Sequence, residues 1–265
     1  MPSLQSDDAR LYYEVSGSGP DLVLLHPFPL NHHFWDGVSS ALSARHRVIT
    51  PDLRGHGDSE LGNGPATMEK HAADLLRICD TEGLSKAIFV GVSIGGYVLF
   101  EFWRRHPERF AGLVLSNTRA AAETEESRAN RLRIADEVEQ QGTAAFIQDM
   151  LGKLIGSTTR AERPEIVGAA RKIMQSMSAD DVAGVQRGMA DRPDSVGTLS
   201  TINVPTLVIA GEEDVPPPLS AAELMRDRVS GSTLHVIAKA GHYAAMEQPE
   251  RYSEILLQFA GTVWQ

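Results

Sequence analysis

One pentapeptide, GVSIG at positions 91–95, constrains the fold of this chain more than any other feature of its sequence. It follows the apolar run 87–90, which predicts a buried strand, and it opens a stretch with helical character that ends before Pro107. Glycine at both ends permits a sharp turn from strand to helix, because no side chain obstructs the approach of the two elements. Such a turn leaves the Ser93 hydroxyl exposed at the carboxyl end of the strand. The pattern therefore predicts a nucleophilic serine, with an ordinary turn serine as the alternative.

Strand-like and helix-like segments alternate on both sides of this turn. The predicted strands cover residues 11–15, 21–25, 46–50, 87–92, 113–116, 206–210 and 234–237. The predicted helices between and after them cover residues 68–79, 94–105, 220–229 and 250–259. Alternation of this kind favours an α/β fold with a mostly parallel central sheet and helices on both faces.

The middle of the chain has a different character. No strand pattern is found between about residues 119 and 196, and helix-like stretches take its place. These stretches cover residues 120–141, 144–154, 163–177 and 179–189. We therefore expect an α/β core formed by residues 1–118 and 197–265, with a helical cap inserted at 119–196.

The composition of the chain disfavours some classes of binding partner. The formal net charge is −10, which argues against binding to nucleic acid or to an anionic membrane surface. The single cysteine, Cys79, allows no intramolecular disulfide. The first residues lack the pattern of a signal peptide, and no apolar run approaches the roughly 20 residues of a membrane-spanning helix. We expect a cytoplasmic monomer or homodimer that acts on a small-molecule ester.

Two later loops carry the groups that a nucleophilic serine needs. A serine hydroxyl requires a base within hydrogen-bond reach, and the base requires an orienting group. GEED at 211–214 and AGH at 240–242 each follow a predicted strand, so Asp214 and His242 should lie at the sheet edge that carries Ser93. Glu212 and Glu213 compete with Asp214 for the acid position. The end of strand 113–116 carries Asn117, which has no charge to offer.

These motifs together resemble the α/β-hydrolase superfamily over essentially the whole chain. Within it, the chain is similar to small capped esterases and to 3-oxoadipate enol-lactonase-like serine hydrolases. The resemblance is carried by HPFPL at 26–30, PDLRGHGDS at 51–59, GVSIGG at 91–96, GEED at 211–214 and AGH at 240–242 with EQPE at 247–250. It implies that Ser93 is the nucleophile, His242 the general base, and Asp214 the group that fixes the imidazole tautomer.

The same resemblance implies an oxyanion hole and a substrate pocket. The backbone N–H groups of Ile94 and Phe28 would hold the oxyanion, although Pro27 stands where many relatives have glycine. Pocket-lining side chains are predicted at Phe28, Trp35, Met174 and Met177, with simple core packing as the alternative.

The expected activity is hydrolysis of a carboxylic ester with a small or medium apolar acyl group, through an acyl-enzyme intermediate. The serine nucleophile separates the chain from haloalkane dehalogenases and epoxide hydrolases, which use aspartate. Neither a metal nor another cofactor is expected, because the histidine pair His32-His33 has no accompanying ligand set.

Two alternatives stay open at this point. One is an enol-lactonase or C–C bond hydrolase of aromatic catabolism, whose anionic substrate would require a cation such as Arg119, Arg131 or Arg133. The other, from a different class, is a ligand-binding relative that keeps the fold without turnover.

Overall fold

An eight-stranded sheet runs through the part of the protein that the computed structural model describes, residues 3–215 and 217–264. Its strands are β1 (Ser3–Ser6), β2 (Ala9–Ser16), β3 (Asp21–Leu25), β4 (Arg47–Pro51), β5 (Ala87–Val92), β6 (Phe110–Ser116), β7 (Thr206–Gly211) and β8 (Thr233–Ile237). Their order in the sheet is β1-β2-β4-β3-β5-β6-β7-β8. β2 pairs antiparallel with both of its neighbours, and every other pair is parallel.

Helices connect the strands and cover the sheet. They are α1 (Asp36–Ser43), α2 (Met68–Thr81), α3 (Ile94–Arg105), α4 (Glu125–Gln141), α5 (Ala144–Leu154), α6 (Ser157–Glu162), α7 (Pro164–Met174), α8 (Ala179–Ala190), α9 (Val196–Leu199), α10 (Leu219–Arg228), α11 (Ala244–Glu247) and α12 (Pro249–Val263). Two 3-10 turns add His32–Trp35 and Pro107–Arg109. α2 packs on α3, while α1 packs on α12, so the sheet has two separate helical layers. The predicted α/β class with a mostly parallel sheet is confirmed.

The core lies on the central strands. Every residue of β5 and of β7 is buried, which explains why both strands read as continuous apolar runs. β8, at one edge of the sheet, is exposed or partly buried except at its last residue, Ile237. The central strands that carry the candidate site are therefore desolvated, whereas the edge strand is only partly so.

Some short elements were not predicted. β1 is polar and only four residues long, and it is held by antiparallel pairing to β2 rather than by an apolar face. α4 begins at Glu125 and not at residue 120, because the Thr124 side chain accepts a hydrogen bond from the Ser127 N–H and caps the helix there.

Residues 119–196, all of them described, contain helices and turns but no strand. We call this stretch the helical segment. Its division from an α/β core stays a prediction, and residues 1, 2 and 265 at the ends of that core lie outside the described residues. None of the helices in the described ranges is long and apolar enough to cross a membrane.

Glycines in α8 let the helical segment approach the strands' connecting loops closely. The Ala66 N–H donates to the Gly184 carbonyl at 3.1 Å. A Cβ placed on Gly188 would lie 1.9 Å from the Ala66 carbonyl oxygen, far inside van der Waals contact. α8 can therefore lie in its observed place only because residue 188 has no side chain.

We predict that Gly188→Ala destabilises the protein by about 1–3 kcal/mol, because the new methyl group forces α8 away from the Ala66 backbone. Gly168→Ala is the matched control, since an added Cβ on that helical glycine meets nothing within 4 Å. Alanine there should raise the free energy of unfolding by about 0.5–1 kcal/mol. Urea unfolding measures both variants, and equal effects would contradict the close approach of α8.

Candidate active site

The Ser93 backbone adopts a strained conformation between β5 and α3. Its φ of 55° and ψ of −114° are unusual for a residue with a side chain. A Cβ on Gly91 would lie 2.5 Å from the Gly95 backbone, and a Cβ on Gly95 would lie 2.6 Å from the Leu25 carbonyl oxygen. The Ser93 carbonyl accepts a hydrogen bond from Thr118 Oγ1 at 2.7 Å. The sharp turn that the pentapeptide predicts is therefore present, and its neighbours hold it in place.

His242 and Asp214 lie together at the ends of β8 and β7. His242 Nδ1 is 3.0 Å from Asp214 Oδ2 and 3.1 Å from Oδ1, and both side chains are almost fully buried. An ionised carboxylate can only accept, so the neutral imidazole tautomer that fits this contact has its proton on Nδ1 and leaves Nε2 as an acceptor. The pair thus presents a basic ring nitrogen on the side away from the carboxylate.

Ser93 and His242 line the same cavity, which has a volume of about 270 Å³. Among the described residues, no hydrogen bond joins the Ser93 hydroxyl to the His242 ring. Such contacts are often long without a substrate and tighten when one binds. The structure thus brings all three predicted side chains to one place, with one of the two contacts already formed.

Asn117 is part of this arrangement, although its sequence position indicated only that it cannot supply a charged acid. Its Nδ2 donates to Asp214 Oδ2 at 2.8 Å and to the Gly241 carbonyl at 3.2 Å. Its φ of 46° is a left-handed conformation that asparagine tolerates better than most residues. Asn117 therefore fixes Asp214 against residues 240–243, which we call the histidine loop.

The competing acids have other partners. Glu213 Oε2 accepts hydrogen bonds from the Thr158 N–H at 2.8 Å and from Ser157 Oγ at 2.9 Å. Glu212 accepts from the Lys239 N–H at 3.1 Å and is exposed. Of the three consecutive acids in this loop, Asp214 is the one in contact with the His242 ring.

Glu247, the last residue of α11, is a fully buried carboxylate for which no role was predicted. Its Oε1 accepts from the N–H groups of Gly241 and Tyr243, at 3.0 and 3.2 Å, and its Oε2 accepts from the Gly156 N–H at 3.0 Å. Burial raises the pKa of Glu247, although these donors act in the opposite direction. The EQPE motif marked the position, but only the fold reveals its partners.

Of the two residues predicted to form an oxyanion hole, Phe28 lines the same cavity as Ser93, and Ile94 directly follows Ser93 in the chain. The Phe28 ring lies 5.7 Å from that of Phe146 in the helical segment. Phe28 and Ile94 are buried residues, and their backbone N–H groups donate no hydrogen bond within residues 3–215 and 217–264. Unused buried donors are uncommon, and two of them here leave hydrogen-bonding capacity for a ligand.

The other predicted pocket residues do not reach this cavity. Trp35 is fully buried, and its ring packs against Phe34 and Tyr252. Met174 and Met177 are also buried and are absent from the cavity wall that the described residues form. These three side chains therefore lie in the core and not on the wall of the cavity that contains Ser93. For Met174 and Met177, helical spacing identified a buried face but not what that face contacts.

Positive charge enters the cavity from the helical segment. Arg119 and Arg131 line it, whereas Arg133 points to the surface and binds Glu137 and Asn130. Three arginines were candidates for binding the negative charge of an anionic substrate, and two of them line the cavity.

A buried carboxylate, Glu123, organises these arginines. Its Oε1 lies 3.1 Å from Arg131 Nε and 3.2 Å from Arg192 Nε, and its Oε2 lies 2.6 Å from Arg119. Burial would raise the pKa of Glu123, but the arginines and the Ser127 hydroxyl lower it to about 2. Glu123 therefore balances one of the three guanidinium charges that it contacts, and two of those three groups, Arg119 and Arg131, lie on the cavity wall.

Within the described ranges, no group of three or more histidine, cysteine, aspartate or glutamate side chains could hold a metal ion.

The chain matches one family model and is similar to several known proteins. The model of the alpha/beta hydrolase fold matches residues 20–249. The chain is 28% identical to 3-oxoadipate enol-lactonase 1 of Acinetobacter baylyi, over 96% of this chain and 94% of that protein. It is 37% identical to a thermophilic esterase of Thermogutta terrifontis solved with malate bound, with a TM-score of 0.95 over 97% and 95% of the two chains. An enol-lactonase of Burkholderia xenovorans has the same fold, with 24% identity and a TM-score of 0.91 over 98% of this chain and 100% of that one.

Proposed function

The chain belongs to the alpha/beta hydrolase fold family, and we propose that it hydrolyses carboxylic esters through Ser93, His242 and Asp214. Its esterase and enol-lactonase relatives support a hydrolase in the broader sense. The fold alone does not define a reaction, so the proposal depends on the site. One observation carries it: the His242 ring is held by Asp214 at 3.0 Å on a cavity wall that also contains Ser93.

In the first half of the reaction, His242 Nε2 removes the proton from Ser93 Oγ as the oxygen attacks the ester carbonyl. The tetrahedral intermediate collapses when the protonated imidazole gives that proton to the leaving alcohol. In the second half, His242 activates a water molecule that hydrolyses the acyl-enzyme. Asp214 keeps the ring in the correct tautomer and stabilises the imidazolium, and Asn117 holds Asp214.

The negative charge that develops on the carbonyl oxygen requires donors that are already in place. The unused N–H groups of Phe28 and Ile94 supply them, and the N-terminus of α3 adds its positive dipole. Each such donor is worth on the order of 10²–10³ in rate.

Labelling with a fluorophosphonate tests the nucleophile directly. We expect one adduct per chain, mapped by peptide mass spectrometry to Ser93, with none in Ser93→Ala. A p-nitrophenyl acyl ester should give a burst of nitrophenol followed by steady turnover, because an acyl-enzyme accumulates. An adduct on another residue would overturn the mechanism, and saturable ester binding without release would favour the ligand-binding alternative.

We predict that Asp214→Asn lowers kcat by about 10⁴-fold, because an amide stabilises the wrong imidazole tautomer and does not stabilise the imidazolium. Glu213→Gln is the matched control, since it changes the adjacent acid in the same way while Glu213 contacts residues 157 and 158 instead of His242. That variant should keep nearly the full rate. Steady-state kinetics compares the two, and the reverse ranking would move the acid role to Glu213.

A second candidate function is hydrolysis of an ester or enol-lactone whose acyl part carries a carboxylate. The observation that favours it is the presence of Arg119 and Arg131 on the cavity wall. The single negative charge of Glu123 neutralises only part of their positive charge. The relatives point the same way, since one is an enol-lactonase and another was solved with malate, a dicarboxylate, bound.

We predict that Arg131→Gln lowers kcat/KM for the half-ester of a short dicarboxylic acid by roughly 10- to 100-fold, because a charged hydrogen bond to the free carboxylate is lost. The neutral diester of the same acid should be hydrolysed at nearly the original rate. Arg133→Gln, on the exposed face of the same helix, should leave both substrates unaffected. Equal losses with half-ester and diester would count against the second function and leave simple ester hydrolysis.

A further inference from the structure

Three consecutive backbone N–H groups around His242 are each held by a specific acceptor. Those of Gly241 and Tyr243 donate to Glu247 Oε1, at 3.0 and 3.2 Å. The N–H of His242 itself donates to the Leu154 carbonyl at 2.8 Å. The backbone that carries the His242 ring is thus fixed on one side by a buried carboxylate and on the other by the helical segment.

The second oxygen of Glu247 binds the same part of the helical segment. Oε2 accepts from the Gly156 N–H at 3.0 Å, two residues after Leu154, and the carboxylate also accepts from the Thr159 hydroxyl. One carboxylate therefore joins two pieces of chain that are more than eighty residues apart in sequence. Leu154 lines the cavity, so the joined unit reaches from the substrate space to the base.

The two pieces touch without room for side chains. A Cβ on Gly241 would lie 2.3 Å from the Gly156 N atom, and a Cβ on Gly156 would lie 2.8 Å from Glu247 Oε2. The backbones of Gly156 and Gly241 are in close contact, and the Glu247 carboxylate that joins them is fully buried. A movement of residues 154–156 must therefore move the histidine loop.

We propose that Glu247 is a positioning residue for His242, and that its carboxylate locks the histidine loop to residues 154–156 so that the ring nitrogen stays in line with Ser93. This inference rests on the proposed function, in which His242 is the base. Glu247 touches no reacting atom in this scheme, and its effect passes through the backbone of residues 241–243.

Glu247→Gln tests the lock with little change in size. An amide has one acceptor oxygen, so it can accept either from the N–H groups of Gly241 and Tyr243 or from that of Gly156. In either orientation its NH₂ group, which is a donor, faces another N–H donor. We expect kcat to fall roughly 10- to 100-fold while KM stays nearly constant, because the ring is misplaced but the cavity keeps its shape. The rate at which fluorophosphonate labels Ser93 should fall by the same factor.

Glu213→Gln is the matched control. Glu213 also binds the helical segment, at residues 157 and 158, but it accepts no hydrogen bond from residues 241–243. That variant should keep nearly the full kcat and labelling rate. A folded Glu247→Gln protein with a lower unfolding temperature but unchanged kcat would reduce Glu247 to a structural role and overturn the proposal.

Two further readouts keep the outcomes distinct. If the wild-type protein is not labelled on Ser93, the proposed function fails and this inference fails with it. If the wild type is labelled and Glu247→Gln is labelled equally fast, this inference fails alone. Should the variant not fold, hydrogen exchange on the wild type decides: the amides of Gly156, Gly241 and Tyr243 should exchange as slowly as those of β5. Exchange as fast as in exposed loops would overturn the lock.

Discussion

Parallel pairing of four neighbouring strands is the constraint on which the candidate site depends. β5, β6, β7 and β8 run in the same direction, so their carboxyl ends meet at one edge of the sheet. Each of these ends supplies one polar side chain to the same small region: Ser93 after β5, Asn117 after β6, Asp214 after β7 and His242 after β8. Residues far apart in sequence are thus placed together by backbone register, before any side chain contributes a contact.

That edge concentrates buried acids, and each is stabilised in a different way. Asp214 faces an imidazole and an amide, Glu123 faces three guanidinium groups, and Glu247 faces backbone N–H groups. A buried carboxylate without such partners would cost several kcal/mol, so each acid needs its own set of donors. The donors determine what the acid can do: guanidinium partners keep Glu123 charged, whereas N–H partners tie Glu247 to two loops.

The sequence predicted the elements whose signal is local, and it missed those that depend on distant partners. The elbow at Ser93 is encoded within a few residues, and the buried strands are encoded by continuous apolar runs, so both could be predicted. The roles of Asn117 and Glu247 could not be predicted, since Asn117 binds Asp214 and Glu247 binds Gly156, which lie 97 and 91 residues away. The surroundings of Met174 and Met177 could not be predicted for a related reason, since helical spacing identifies a buried face but not what that face contacts. The roles assigned to the site residues stay predictions.

The helical segment divides its contacts between two tasks that can change independently. Arg119 and Arg131 place charge at the cavity, and under the second proposed function this charge selects acyl groups that carry a carboxylate. Residues 154–156 contact the histidine loop and carry no charge. Leu154 also lines the cavity, so in the proposed scheme this stretch affects the geometry of the base and the shape of the cavity but not its charge. Changes on the face of α4 could therefore alter the preferred substrate charge while the lock around Glu247 preserves the rate. A segment with both tasks on the same residues could not change its specificity without losing catalysis.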